Sequence, residues 1–151
     1  MSIYANIYNS TRRINENYPK DILHLFLESL NLKKIKKILF LGISYKANCN
    51  DIRNSKSLVI LDQLISKKFS VDVYDPYFRN FKYNFNKRYN ILSKFPFKRK
   101  YDSIIISVDH NEFKKIKISK IKKMCKKEKS IFDIKNIFPK ENFFKIWNRK
   151  F

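Results

Sequence analysis

Four polar runs, each following a short apolar run, hold the side chains that could do chemistry. The first is GISYKANCNDIRNS over residues 42–55, which carries Tyr45, Lys46, Asp51 and Arg53. The later ones are Asp75-Pro76, then Asp109-His110-Asn111-Glu112, then Asp133-Ile134-Lys135-Asn136. Lys46, Arg53 and Lys135 are cations at such exits, and together with a helix N-terminus they would meet a phosphate-bearing ligand. The dinucleotide fingerprint G-x-G-x-x-G cannot be present, because the chain has 1 glycine. Cys49 and Cys125 have neither disulfide nor zinc spacing, and no catalytic or metal-ligating residue is expected.

Each of these residues also has a plainer reading. Lys46 and Arg53 stand on a loop where solvated charges occur in any case. Tyr45 would also serve as an aromatic cap over the core. Asp51 is expected to cap the helix that follows it. A lone Cys49 without a base beside it is inert by default, and so is Cys125 among its lysines. His110 is expected to shape its turn rather than act as a general base. His24 is expected in the core or at an interface. The lysines of residues 114–129 read as a solvated helix face.

The elements that position these runs alternate between strand and helix. Residues 1–30 place Ile7, Ile14, Ile22, Leu25, Phe26 and Leu30 near helical spacing, with Pro19 marking a kink or the start of a second helix. KKILFL at 36–41 reads as a buried strand, 55–67 as a helix and SVDVY at 70–74 as a strand. Residues 78–100 are irregular, aromatic and basic, with one short strand near 89–92. Residues 101–108 form the clearest central strand. A helix over 112–123, a strand at 130–133 and a terminal helix over 140–147 complete the list. Strands alternating with helices of this length predict right-handed βαβ units around a parallel sheet. Ligands of such sheets sit beyond the carboxyl ends of the strands, at the switch point, where the four polar runs lie.

Composition bounds the class of molecule. A 44% hydrophobic and 16% aromatic chain builds a core despite 31% charged residues. The net charge of +21 invites anionic partners, nucleic acid included. The cations are mainly lysines, however, and they accompany abundant Asn, Ile, Phe and Tyr, all with A/T-rich codons. An average chain of this length holds about ten glycines, so the single Gly42 fits the same codon bias. The charge is therefore assigned to base composition, with a basic nucleic-acid-binding module as the alternative. No stretch approaches 18 apolar residues and residues 1–18 lack a signal-like apolar region, so a membrane is not expected and a cytoplasmic setting is.

The run LGISYKANCNDIRNSKSLVILDQL at 41–64 resembles the hallmark of the UDP-binding C-terminal domain of UDP-glucose/GDP-mannose dehydrogenases. Gly42, Tyr45, Lys46, Asp51, Arg53 and Ser55 fall on its fixed positions. The runs VDVYDP, YDSIIISVDHNEF and FDIKNIFPK follow in the family's order, and RINENYP at 13–19 is similar to the end of its central helical region. The variant most resembles the branch acting on UDP-N-acetylhexosamines.

The resemblance implies an α/β, Rossmann-like parallel sheet flanked by helices over 34–151. A helical linker or dimerisation segment over 1–33 would precede it. It implies oxidation of a sugar C6 alcohol to a uronate, with NAD as cofactor, in polysaccharide precursor synthesis. Tyr45, Lys46 and Lys135 would contact the UDP-sugar. Arg53 would reach NAD held by another domain. Lys135 stands where many members have Arg, which keeps the charge without the bidentate fork. Ile134 replaces a common Gly, which argues against close backbone approach there. The family's NAD domain and catalytic-cysteine motif are not in these residues. The expectation is thus a truncated or split enzyme, a homodimer or one paired with a separately encoded N-terminal half. The alternative is a remnant that retains only dimerisation.

Overall fold

The computed structural model describes residues 3–28, 35–78, 89–126 and 130–141, with side chains of the first helix from residue 16. The chain opens with helix α1 (Ile3–Glu28). Strand β1 (Lys37–Leu41), helix α2 (Lys56–Ser66), β2 (Ser70–Tyr74) and β3 (Asn90–Ile91) follow. Then come β4 (Ser103–Ile106), α3 (Asn111–Lys114), α4 (Ile118–Met124) and β5 (Ile131–Asp133). The strands form one parallel sheet in the order β3-β2-β1-β4-β5. The expected α/β, Rossmann-like fold is what the chain adopts.

The alternation along β1 explains the layers. Ile38 and Phe40 join the core beneath α1 and α2, with Ile22, Phe26, Ile60, Leu61 and Leu64. Leu39 and Leu41 face the opposite core, with Phe113, Ile121 and Met124. A strand covered on both faces must be apolar at successive positions, which is why ILFL reads as a run rather than an alternation. Asp72 is the buried polar residue of β2, at 4% exposure. It accepts hydrogen bonds from Tyr101 Oη (2.8 Å), Asn90 Nδ2 (2.9 Å) and Arg99 (3.0 Å), so it anchors the irregular segment before β4 to the sheet.

Of the two readings of Pro19, a kink or the start of a second helix, the second is not adopted: α1 is one 26-residue element with Pro19 inside it. Its second half is held by Ile22, Leu23 and Phe26 in the core, and Phe26 meets Phe132 edge-on at 5.6 Å. Residues 112–123 form two short helices, not one. Ile116 and Ile118 both pack on the same core cluster, and residues two apart lie on opposite sides of a continuous helix. The strand over 101–108 shortens to Ser103–Ile106, with Tyr101 making an isolated bridge to Cys125. The predicted helix at 140–147 and the boundary at 33/34 lie outside the described residues, save for a turn at Lys140 and Glu141. No helix among the described residues is long and apolar enough to cross a membrane.

Candidate functional site

The strand order makes β1 the centre: the chain leaves it toward β2 and β3, then returns to its other side as β4 and β5. The exits of β1 and β4 therefore lie side by side at the switch point, where such sheets leave a crevice. Gly42 sets how close they come. Its φ is +89°, and a Cβ there would lie 2.5 Å from Val108 Cβ and 3.0 Å from the Val108 nitrogen. A side chain at position 42 is excluded both by that contact and by the backbone conformation.

Beyond Gly42 the chain is held by a buried carboxylate. Asp75, 1% exposed, accepts at Oδ2 from the amides of Ile43 (2.8 Å) and Ser44 (3.1 Å) and from Ser44 Oγ (2.8 Å). Its Oδ1 accepts from the Tyr77 amide at 2.9 Å, and His110 Nε2 lies 3.1 Å from Oδ2. Burial alone would raise this carboxyl. The hydrogen bonds from His110, Ile43 and Tyr77 outweigh it and hold the group below the usual carboxylate range. The turn thus hangs on Asp75, which by sequence is one of the polar strand-exit residues with no role of its own.

The loop that follows closes on itself, the Tyr45 amide donating to the Asp51 carbonyl at 2.7 Å. Asn48 adopts φ 58°, a conformation asparagine tolerates. Ser55 then provides the N-cap position of α2, but its hydroxyl turns to the Ser44 carbonyl (3.3 Å) and makes no cap bond. Ser57 Oγ lies 2.7 Å from Ser107 Oγ, tying the first turn of α2 to the β4 exit. The positive end of α2 consequently faces the crevice without a side-chain cap.

A cleft of about 470 Å³ lies between these elements, lined by Tyr45, Lys46, Lys56, Ser107, Asp109 and Lys135 among others. That size suits a small-molecule ligand. Three lysines face one carboxylate, and Asp109 is itself paired with Lys114 at 3.1 Å. Burial raises the Asp109 carboxyl, but Lys114, with its charge and that of Lys135, brings it below its ordinary value. Tyr45 is 52% exposed, and Lys46 Nζ stands 5.4 Å from its ring centroid, a cation–π distance. The arrangement suits an anion carrying a flat or apolar group. No cluster of three metal-ligating side chains occurs among the described residues.

The structure thus brings Tyr45, Lys46 and Lys135 to one cleft and leaves Arg53 outside it. Arg53 is an exposed side chain gripped bidentately by Asp51, at 3.1 and 2.8 Å. Asp51 does not cap α2 as expected. Its Oδ1 accepts from the amide of Arg53 two residues on (2.9 Å), a local turn that competes with capping. Hydrogen bonding to Arg53 lowers its carboxyl to about 2. His110 is fully buried and braces its turn, in line with the structural expectation. His24 is not a core residue: its side chain is exposed, 3.5 Å from Glu28. Ile134 sits in the core while also bordering the cleft. Lys56, Ser57, Ser107 and Tyr18 border the cleft without having been singled out by sequence. A cation at the first position of α2 was readable; Tyr18 arrives from a helix distant in sequence, within the RINENYP run, which pointed to the helical region and not to the cleft.

A protein-family model described as the UDP binding domain of the UDP-glucose/GDP-mannose dehydrogenase family matches residues 39–140. UDP-N-acetyl-D-mannosamine dehydrogenase of Methanococcus vannielii is 33% identical over 138 residues, covering 88% of this chain and 31% of that protein. UDP-N-acetyl-D-glucosamine 6-dehydrogenase of Salmonella typhi is 28% identical over 143 residues, covering 91% and 33%. Among solved structures, UDP-D-ManNAc dehydrogenase of Pyrococcus horikoshii superposes with a TM-score of 0.72 at 28% identity, covering 89% of this chain and 32% of that one. The chain spans about a third of the length of the curated relatives it matches.

Proposed function

Because this chain belongs to the UDP-glucose/GDP-mannose dehydrogenase family, we propose that its basic cleft binds the UDP portion of a UDP-N-acetylhexosamine on behalf of a C6 dehydrogenase. The observation that carries this is the meeting of Tyr45, Lys46 and Lys135 at the switch-point cleft, facing the uncapped start of α2. Lys46 and Lys135 neutralise the pyrophosphate, the α2 amides donate to it, and Tyr45 covers a ring or sugar face. The preference for an N-acetylhexosamine rests on the branch that the hallmark resembles and on the names of the relatives.

The family's reaction passes hydride to NAD. The Gly-rich dinucleotide fingerprint is absent, and the one glycine, Gly42, is committed to the contact between the β1 and β4 exits. No step of hydride transfer is assigned to this chain. Arg53, exposed outside the cleft and held by Asp51, is the residue available to a cofactor carried by another domain. Pairing with such a domain, and dimerisation through α1, belong to the same proposal.

Calorimetric titration of the chain with UDP-N-acetylglucosamine tests the reading, with GDP and a short oligonucleotide as controls. Selective UDP-sugar binding is expected. Lys46→Ala should weaken it by about 1.5–3 kcal/mol, the contribution of one charge-assisted hydrogen bond. A folded chain that ignores the UDP-sugar, or an unchanged affinity in that variant, would contradict the assignment.

A further inference from the structure

The loop that carries Tyr45 and Lys46 is fastened to the β4 exit at Asn48 by two hydrogen bonds, one of them to an imidazole. The Asn48 amide donates to His110 Nδ1 at 2.9 Å, and the Asn111 amide donates back to Asn48 Oδ1 at 2.9 Å. The ring is 0% exposed, with Tyr77 at 5.2 Å on one side and Phe113 edge-on at 5.3 Å. A backbone N–H can only donate, so Nδ1 presents a lone pair. Nε2 then carries the hydrogen and directs it to Asp75 Oδ2 at 3.1 Å. In this state His110 is neutral, and it links the carboxylate that holds residues 43 and 44 to the amide that holds residue 48.

We propose that His110 is a positioning residue for the ligand loop. In its neutral Nε2–H form it holds Tyr45 and Lys46 at the cleft, and protonation at Nδ1 releases them. A proton on Nδ1 would point at the Asn48 N–H, leaving two donors face to face in a buried contact. Asp75 meets the ring from the β2 exit and the Asn48 amide meets it from the ligand loop. Tyr77 presents its ring face. From the β4 exit, Asp109 is paired with Lys114, and Glu112 bonds the Tyr74 hydroxyl. In the ligand loop, Asp51 is taken by Arg53 and Lys46 stands beside Tyr45. The proposal rests on the cleft being the UDP-sugar site, but the link itself can be read without ligand.

The experiment combines UDP-N-acetylglucosamine affinity between about pH 5 and 8, the range in which imidazoles titrate, with ¹⁵N spectra of the two histidines. A nucleotide sugar is the right probe because its pyrophosphate diester, unlike the terminal phosphate of UDP, does not titrate in that range. The wild-type chain should bind roughly tenfold more weakly on the acid side, the loss of about one hydrogen bond's worth of positioning. His110→Asn places a non-titrating acceptor where Nδ1 stands. It should recover binding relative to His110→Phe and lack the acid-side loss. Without ligand, Nδ1 should give a pyridine-type signal and Nε2 a pyrrole-type one. The protection of the Asn48 amide, taken as its exchange rate relative to the intrinsic rate at the same pH, should fall on acidification in the wild type and not in His110→Asn. The same acid-side loss in His110→Asn, an Nδ1–H tautomer, or an Asn48 amide indifferent to His110→Phe would overturn the proposal. Absence of UDP-sugar binding at every pH would instead sink the functional reading, while the ligand-free tautomer and exchange data still decide the role of His110.

Discussion

At the scale of single residues, the cleft depends on side chains whose job is to place others. Gly42 is the sharpest case. Alanine at this position should destabilise the chain by about 2–4 kcal/mol, combining positive-φ strain with overpacking against Val108. Val108→Ala should not fully rescue it: the change removes the 2.9 Å contact to Val108 Cγ2 but keeps those to Cβ at 2.5 Å and to the backbone nitrogen at 3.0 Å, and the positive φ remains. Denaturant unfolding of the single and double variants checks this, and full recovery in the double variant would show the clash to be misread. Lys46 and Lys135 were readable as cations at strand exits, since polar residues after an apolar run mark the ligand end of a parallel sheet. His110 was readable as a turn-shaping residue, but its partners were not, and neither was the role of Asp75. A buried carboxylate and an imidazole look like ordinary turn residues until their partners, 31 to 62 positions away, are known.

At the scale of elements, helix starts separate what is functional from what is merely unoptimised. The start of α2 lacks a side-chain cap where the cleft needs its amides. The start of α4 also lacks one, but with no such use: Lys117 holds the N-cap position with extended φ and ψ of −57° and 124° and makes no cap bond. Lys117→Asp should therefore add an N-cap and a favourable charge at the helix start, stabilising by about 1 kcal/mol. The corresponding rise in thermal midpoint is roughly 2–4 °C. A scanning-calorimetry trace with no upward shift would mean that α4 is held by Ile121 and Met124 alone. The break between α3 and α4 shows how far periodicity carries. The lysine-rich stretch has the composition of one helix, and only the demand that Ile116 and Ile118 share a core splits it.

At the scale of the whole molecule, stability is coupled to acid through buried and partly buried aspartates. Asp72, Asp75, Asp102 and Asp109 are all shifted below their ordinary value, because hydrogen bonds and neighbouring cations outweigh the burial that would raise them. Between the lowered folded values and the unfolded value near 3.9, the unfolded chain binds more protons. This contribution is therefore complete above about pH 4 and is lost as pH falls through the folded values. Urea unfolding at falling pH should show that loss. Asp75→Asn should be less stable at neutral pH and show a shallower acid decline. A decline as steep as the wild type's would mean that Asp75 contributes no pH dependence. The net charge of +21 adds general self-repulsion but does not identify the partner; the family match leaves the nucleic-acid reading without support.

By itself, the sequence determined the α/β class, the alternation of elements, the family hallmark at 41–64 and the presence of cations at the strand exits. These are carried by local patterns: apolar runs long enough to be strands, polar residues at their ends, and one motif of fixed spacing. The tertiary structure alone decided which cations meet, that Asp51 serves Arg53 rather than α2, that α1 contributes Tyr18, and that Asp75 and His110 hold the ligand loop. The physical reason is that hydrogen-bond partners are chosen by the order of strands in the sheet. Only when β1 lies between β2 and β4 does an aspartate after one strand come within reach of a histidine after another.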